Sequence, residues 1–77
     1  PFNPNTLIKF SLPRNSFVDL KIYDITGRLI HSIYDSKSFP IGHHSVTFDA
    51  SQLSSGIYFY EISTDYWNKT KKMTLIK

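Results

Sequence analysis

The groups able to do acid–base chemistry in this chain are few and scattered. Its six carboxylates are Asp19, Asp24, Asp35, Asp49, Glu61 and Asp65. Most sit among turn residues, where aspartate bonds neighbouring backbone amides. A carboxylate pair for glycoside hydrolysis must face itself across a cleft, and so short a chain has little interior for one. His43 and His44 are adjacent, so a strand would send them to opposite faces, and His31 would have to arrive from another strand. Read as loop residues, the pair simply faces solvent. No transition-metal site is assigned, since such sites need convergent ligands with a supporting shell. Calcium held by Asp24, Asp35 or Asp49 with backbone carbonyls is left open, without the spacing of an EF-hand loop. Serines occur without a Gly-x-Ser-x-Gly elbow, and Gly27, Gly42 and Gly56 make no phosphate-cradling loop. Asn68-Lys69-Thr70 fits the glycosylation acceptor pattern, which matters only in a glycosylating host. The residues therefore predict no enzyme, no catalytic residue, no metal and no cofactor.

Recognition is better supplied than catalysis. Tyr66 and Trp67 fall in a hairpin loop near the end, where burial is not expected, and Tyr23, Tyr34 and Phe59 are candidates for one outer face. Exposed rings can stack on sugars or bases, cap a sandwich edge, or meet a neighbouring domain. The net charge of +3 is set mainly by Lys69, Lys71, Lys72 and Lys77. Such a tail can meet nucleic acid or an anionic surface, but lysines also keep an exposed edge strand soluble. We adopt the second reading and assign no nucleic-acid partner.

The elements that must carry these residues read as short strands. Alternating segments recur roughly every ten residues between turn signals, the pattern of a sandwich or barrel. Strands are expected near residues 6–12, 17–23, 28–34, 44–48, 57–64 and 70–76. Ile8, Phe10 and Leu12 share a face of the first, and Val18, Leu20 and Ile22 a face of the second, opposite Asp19 and Lys21. Leu29, Ile30 and Ile33 break strict alternation, which predicts a bulge or an edge position. Residues 35–43 read as a polar loop. Val46 and Phe48 are expected inside, Leu53 at one end of the core, and Tyr58, Tyr60 and Ile62 on one face of the most β-prone stretch. In the last strand Met73 and Leu75 point inward, and Lys72 and Thr74 outward. The turn at residues 24–27 pairs an aspartate that bonds local amides with a glycine free to take positive φ.

With 77 residues there is room for one domain, residues 1–77, and one core. A domain this small buries only about 60% of its unfolded surface, so its stability is modest. Its 40% hydrophobic content excludes disorder. The lack of cysteine excludes disulfides and thiolate metal sites. No apolar run reaches the ~18 residues of a membrane span. The opening Pro1-Phe2-Asn3-Pro4 is no signal peptide, so any export leader is expected on a part of the protein outside these residues. The fold class expected is all-β, a small immunoglobulin-like antiparallel β-sandwich of six to seven strands.

Five segments in order resemble a known family. Pro1-Phe2-Asn3-Pro4-Asn5-Thr6 with Ile8-Lys9-Phe10-Ser11-Leu12-Pro13 resembles the opening of the C-terminal sorting domain of type IX (Por) secretion substrates, in its type A form. Tyr23-Asp24-Ile25-Thr26-Gly27-Arg28, Gly42-His43-His44-Ser45-Val46-Thr47-Phe48-Asp49, Ser55-Gly56-Ile57-Tyr58-Phe59-Tyr60 and the ending from Lys71 to Lys77 resemble its later motifs. The immunoglobulin-like domain of the flagellar hook-capping protein is similar. One departure is Asp65-Tyr66-Trp67, where the family often places a glycine-containing turn.

The resemblance implies a non-catalytic export and anchoring module at the end of a larger secreted protein of Bacteroidetes-type bacteria. It would be read by the outer-membrane secretion machinery, and a surface sortase would often remove it and join the cargo to an anionic lipopolysaccharide. It implies a secreted or cell-surface location, an upstream cargo domain, and recognition through Gly27, Arg28, Gly56, Tyr58, Lys71, Lys72 and Lys77. Two other readings rest on the residues alone. One is an accessory carbohydrate-binding or spacer module of a polysaccharide-degrading enzyme, with Tyr66 and Trp67 stacking on a ligand. The other is an assembly domain that polymerises through a free strand edge.

Overall fold

The computed structural model describes residues 5–76; Pro1, Phe2, Asn3, Pro4 and Lys77, with the motif positions they hold, lie outside the described residues. Six antiparallel strands follow in chain order: β1 (Asn5–Leu12), β2 (Ser16–Asp24), β3 (Leu29–Phe39), β4 (Gly42–Asp49), β5 (Gly56–Thr64) and β6 (Asn68–Leu75). No helix occurs among the described residues. The strands form two sheets, β1-β4 and β3-β2-β5-β6. The chain is an all-β sandwich.

The core follows from alternation. Ile8, Phe10 and Leu12 of β1 and Val18, Leu20 and Ile22 of β2 are buried, together with Phe48, Ala50 and Ile62. Odd residues of β2 face outward, so Asp19, Lys21 and Tyr23 line up opposite Ser63, Glu61 and Phe59 of β5. Tyr58, Tyr60, Met73 and Leu75 are half-buried against the core from the inner faces of β5 and β6, and Leu53 reaches it from the β4–β5 loop.

β3 departs from the sequence expectation in length. It runs on to Phe39, so residues 35–39 are strand and the predicted loop at 35–43 shrinks to a turn before β4. Three register shifts against β2 each insert one extra residue in β3. The predicted bulge is thus present three times over, on an edge strand. At the first shift Ser36 takes φ 52°, and its amide donates to Asp19 Oδ1 at 2.8 Å. Stretching β3 in this way lets Ile30, Ile33, Tyr34 and Phe39 all reach the core without strict alternation. Tyr34 therefore belongs to the interior, edge-on to Phe39 at 5.0 Å, and not to an outer aromatic face. Tyr23 and Phe59 do share the outer face as cross-strand partners.

Both neighbouring histidines lie on β4 rather than in a loop. His43 Nδ1 and Ser11 Oγ are 2.6 Å apart. His44 turns inward, its ring 4.9 Å from that of Phe39, and its Nε2–H donates to the Pro40 carbonyl at 2.7 Å.

Candidate recognition surface

β2 and β3 are joined by the turn that presents Gly27 and Arg28. Asp24 Oδ1 accepts from the Thr26 amide at 2.9 Å, the Thr26 hydroxyl at 2.6 Å and the Arg28 amide at 3.0 Å. The Gly27 amide donates to the Asp24 carbonyl, and Arg28 Nε lies 3.4 Å from Asp24 Oδ2. Three donors on one carboxylate fix the turn, while the Arg28 side chain stays 77% exposed. The guanidinium fork is thus held at its root and offered at its tip. The Thr26 hydroxyl, then the Arg28 amide, hold the Asp24 carboxyl below the usual carboxylate range. This stabilisation is complete above that range and is lost as pH falls through the lowered value.

Gly27 has φ +87°, and a Cβ there would meet nothing within 4 Å. The backbone alone therefore decides the effect of a side chain. Gly27→Ala is expected to cost about 1–2 kcal/mol, read as a lower urea midpoint with unchanged slope. Gly27→Asn, which tolerates left-handed backbone, should cost less.

Gly56 opens β5, and Tyr58 lies beside it. The Tyr58 hydroxyl donates to the Ser54 carbonyl at 2.8 Å, and its ring packs on the core. Both residues thereby hold the entry from the β4–β5 loop into the central sheet.

The β5–β6 loop is built without a glycine. Thr64 Oγ1 accepts from the amides of Tyr66 and Trp67, each at 3.0 Å, and the Thr64 amide donates to the Trp67 carbonyl at 2.9 Å. The loop is also pinned to the start of β2, because the Asp65 amide donates to buried Ser16 Oγ at 3.0 Å. Tyr66 is exposed, and its hydroxyl donates to the Asn15 carbonyl at 3.1 Å. Trp67 is not exposed as its loop position predicted: it is half-buried and folds back against the core.

Among the described residues β6 is an edge strand, paired with β5 alone. Lys71 opposes Tyr60 and Lys72 opposes Phe59, so the adjacent lysines leave by opposite faces. Lys72 joins the outer face, and Lys71 joins Lys69, Met73 and Leu75 on the inner one. A two-stranded sheet cannot cover four strands, and a groove of about 750 Å³ remains open where it falls short. Tyr60, Ile62, Trp67, Lys69 and Lys71 line one side, residues 9–11 and 43–45 the other. Burial pushes the Tyr60 phenol above its ordinary pKa, so the ring brings a hydrogen-bond donor to the groove and no charge.

Lys9, Tyr60 and Lys69 line this groove without being candidate site residues of the sequence. For Lys69 the available signal is the period-two row Trp67, Lys69, Lys71, Met73, Leu75, whose lysines occupy positions an apolar inner face would fill; Lys9 and Tyr60 carry none. Among the described residues no group of three or more His, Cys, Asp or Glu side chains could hold a metal.

The family model described as the secretion system C-terminal sorting domain matches residues 1–77. The chain belongs to that family. Neither the curated proteins nor the solved structures give a match. A sorting domain of this kind carries a C-terminal signal for type IX secretion as part of a larger cargo protein, and it implies a secreted or cell-surface product. The family is non-catalytic. No helix of the sorting domain's described residues is long and apolar enough to cross a membrane.

Proposed function

We propose that the folded sandwich is itself the export signal. The outer-membrane secretion machinery reads its exposed turn at Gly27 and Arg28 and the basic end of its sequence, Lys71 and Lys72 on β6 together with Lys77, with Gly56 and Tyr58 holding the fold that presents them. A surface sortase then handles the cargo carried upstream, leaving it anchored at the outer surface. On this reading the chain is of the type A form and kin to the immunoglobulin-like domain of the flagellar hook-capping protein. The observation that carries the proposal is the family match along all 77 residues. The free edge of β6, with lysines leaving by both faces, supplies the backbone and charge a receptor would use.

The test fuses residues 1–77 to the C-terminus of a fluorescent reporter that carries an ordinary leader, in a type IX-competent host. Reporter should appear outside the cell or on its surface. Equal export with the residues 1–77 shuffled would overturn the reading.

A further inference from the structure

We propose that the groove between the two sheets receives an extended acidic peptide segment of a partner protein. The proposal deepens the sorting reading, on which it rests for the claim that a partner meets the folded domain. Lys9, Lys69 and Lys71 line the groove, and among the described residues no carboxylate does. An anionic occupant is the one that three cations around an uncompensated cleft favour.

The occupant's shape follows from the strand. Lys69 and Lys71 are two residues apart on one face, about 6.7 Å along β6. Carboxylates at positions i and i+2 of an extended peptide repeat at the same spacing. Among the described residues β6 has β5 as its one partner and β1 has β4, so each offers an edge to an added strand. An extended strand with acidic residues at alternate positions thus matches the charge, the spacing and the backbone together, whereas a polysaccharide would leave the strand edge unused.

Trp67 is the chain's single tryptophan, so its fluorescence reports from the groove alone. A blocked octapeptide alternating glutamate and valine, titrated into the 77-residue chain at low salt, should change that emission saturably. Lys69→Glu combined with Lys71→Glu should weaken binding at least tenfold while the unfolding midpoint stays near that of the parent. Raising the salt should weaken it as well. No saturable change, equal binding of a lysine–valine peptide, or binding of oligogalacturonate in place of the acidic peptide would each overturn the proposal. Those failures leave the export reading standing, because they are scored without a secretion machinery. Peptide binding with no reporter export would instead overturn the export reading and leave the groove's ligand class intact.

Discussion

Leu20→Ala is expected to unfold most of the sorting domain's population and to abolish export of a fused reporter, although it touches none of the exposed recognition residues. Leu20 is fully buried at the centre of β2, between Ile62 of β5 and Tyr34 of β3 in register. Truncating a buried leucine to alanine costs about 2–5 kcal/mol through lost transfer energy and the cavity left behind. A core in a chain this short supplies only about 3–5 kcal/mol of net stability. The loss is therefore comparable to the whole. If the machinery reads a folded surface, reporter should remain inside the cell while the parent domain sends it out. Leu20→Met, which keeps the volume, should cost below about 1.5 kcal/mol and restore export. Urea melts of both purified variants, set beside the export assay, make the comparison. Normal export of a Leu20→Ala domain shown to be unfolded would mean the signal is linear, and the sandwich reading would fail.

The same residues show why much of the fold was readable beforehand. β2 alternates without interruption because it is central, paired with β3 and β5 along its two edges, with one face on the core and the other turned outward. Its inward face follows from Val18, Leu20 and Ile22 alone. β3 could not, because its far half carries Asp35, Ser36, Lys37 and Ser38, all exposed along an edge. An edge strand with inserted residues has no apolar period to announce it, and polar content there imitates a loop. The irregular spacing of Leu29, Ile30 and Ile33 did carry a signal, and it was the bulge. What it lacked was the position of the Asp19–Ser36 hydrogen bond that anchors the first shift, since that bond joins residues seventeen apart.

The surface was legible in part, for a different reason. The Asp24 turn is local chemistry, so its glycine and its capping carboxylate could be named from five consecutive residues. Trp67 illustrates the opposite case: loop membership was correctly read, but a loop residue's side chain can still fold inward. Thr64 Oγ1 holds the Trp67 amide, and the ring then lies against the core. By charge alone Lys69 and Lys71 read as edge solubility, and the family resemblance adds Lys71 to the recognition residues. Their inner facing depends on β6 pairing with β5 in one register, Ile62 with Lys69 and Tyr60 with Lys71. A slip of one residue would have sent both to the other face.

That register also decides how the basic strand should be tested. Deleting residues 71–77 would remove Met73 and Leu75, which pack on the core, so lost export could reflect lost folding. Charge changes avoid this confusion. Lys71 and Lys72 are both exposed, and surface substitutions of this kind usually move stability by no more than about 0.5 kcal/mol. Lys71→Glu with Lys72→Glu is therefore expected to leave the urea midpoint nearly unchanged. Export should nevertheless fall about tenfold, since losing two contacts worth up to about 1 kcal/mol each removes up to about 2 kcal/mol, against about 1.4 kcal/mol for a factor of ten. Lys72→Glu places its charge on the outer face near Glu61, so Lys72→Gln separates partner loss from that local repulsion. If the groove side carries the recognition, Lys71→Gln should lower export more than Lys72→Gln does. Equal and undiminished export from the folded double reversal would remove the final strand from the recognition surface and leave the Arg28 turn as the remaining contact.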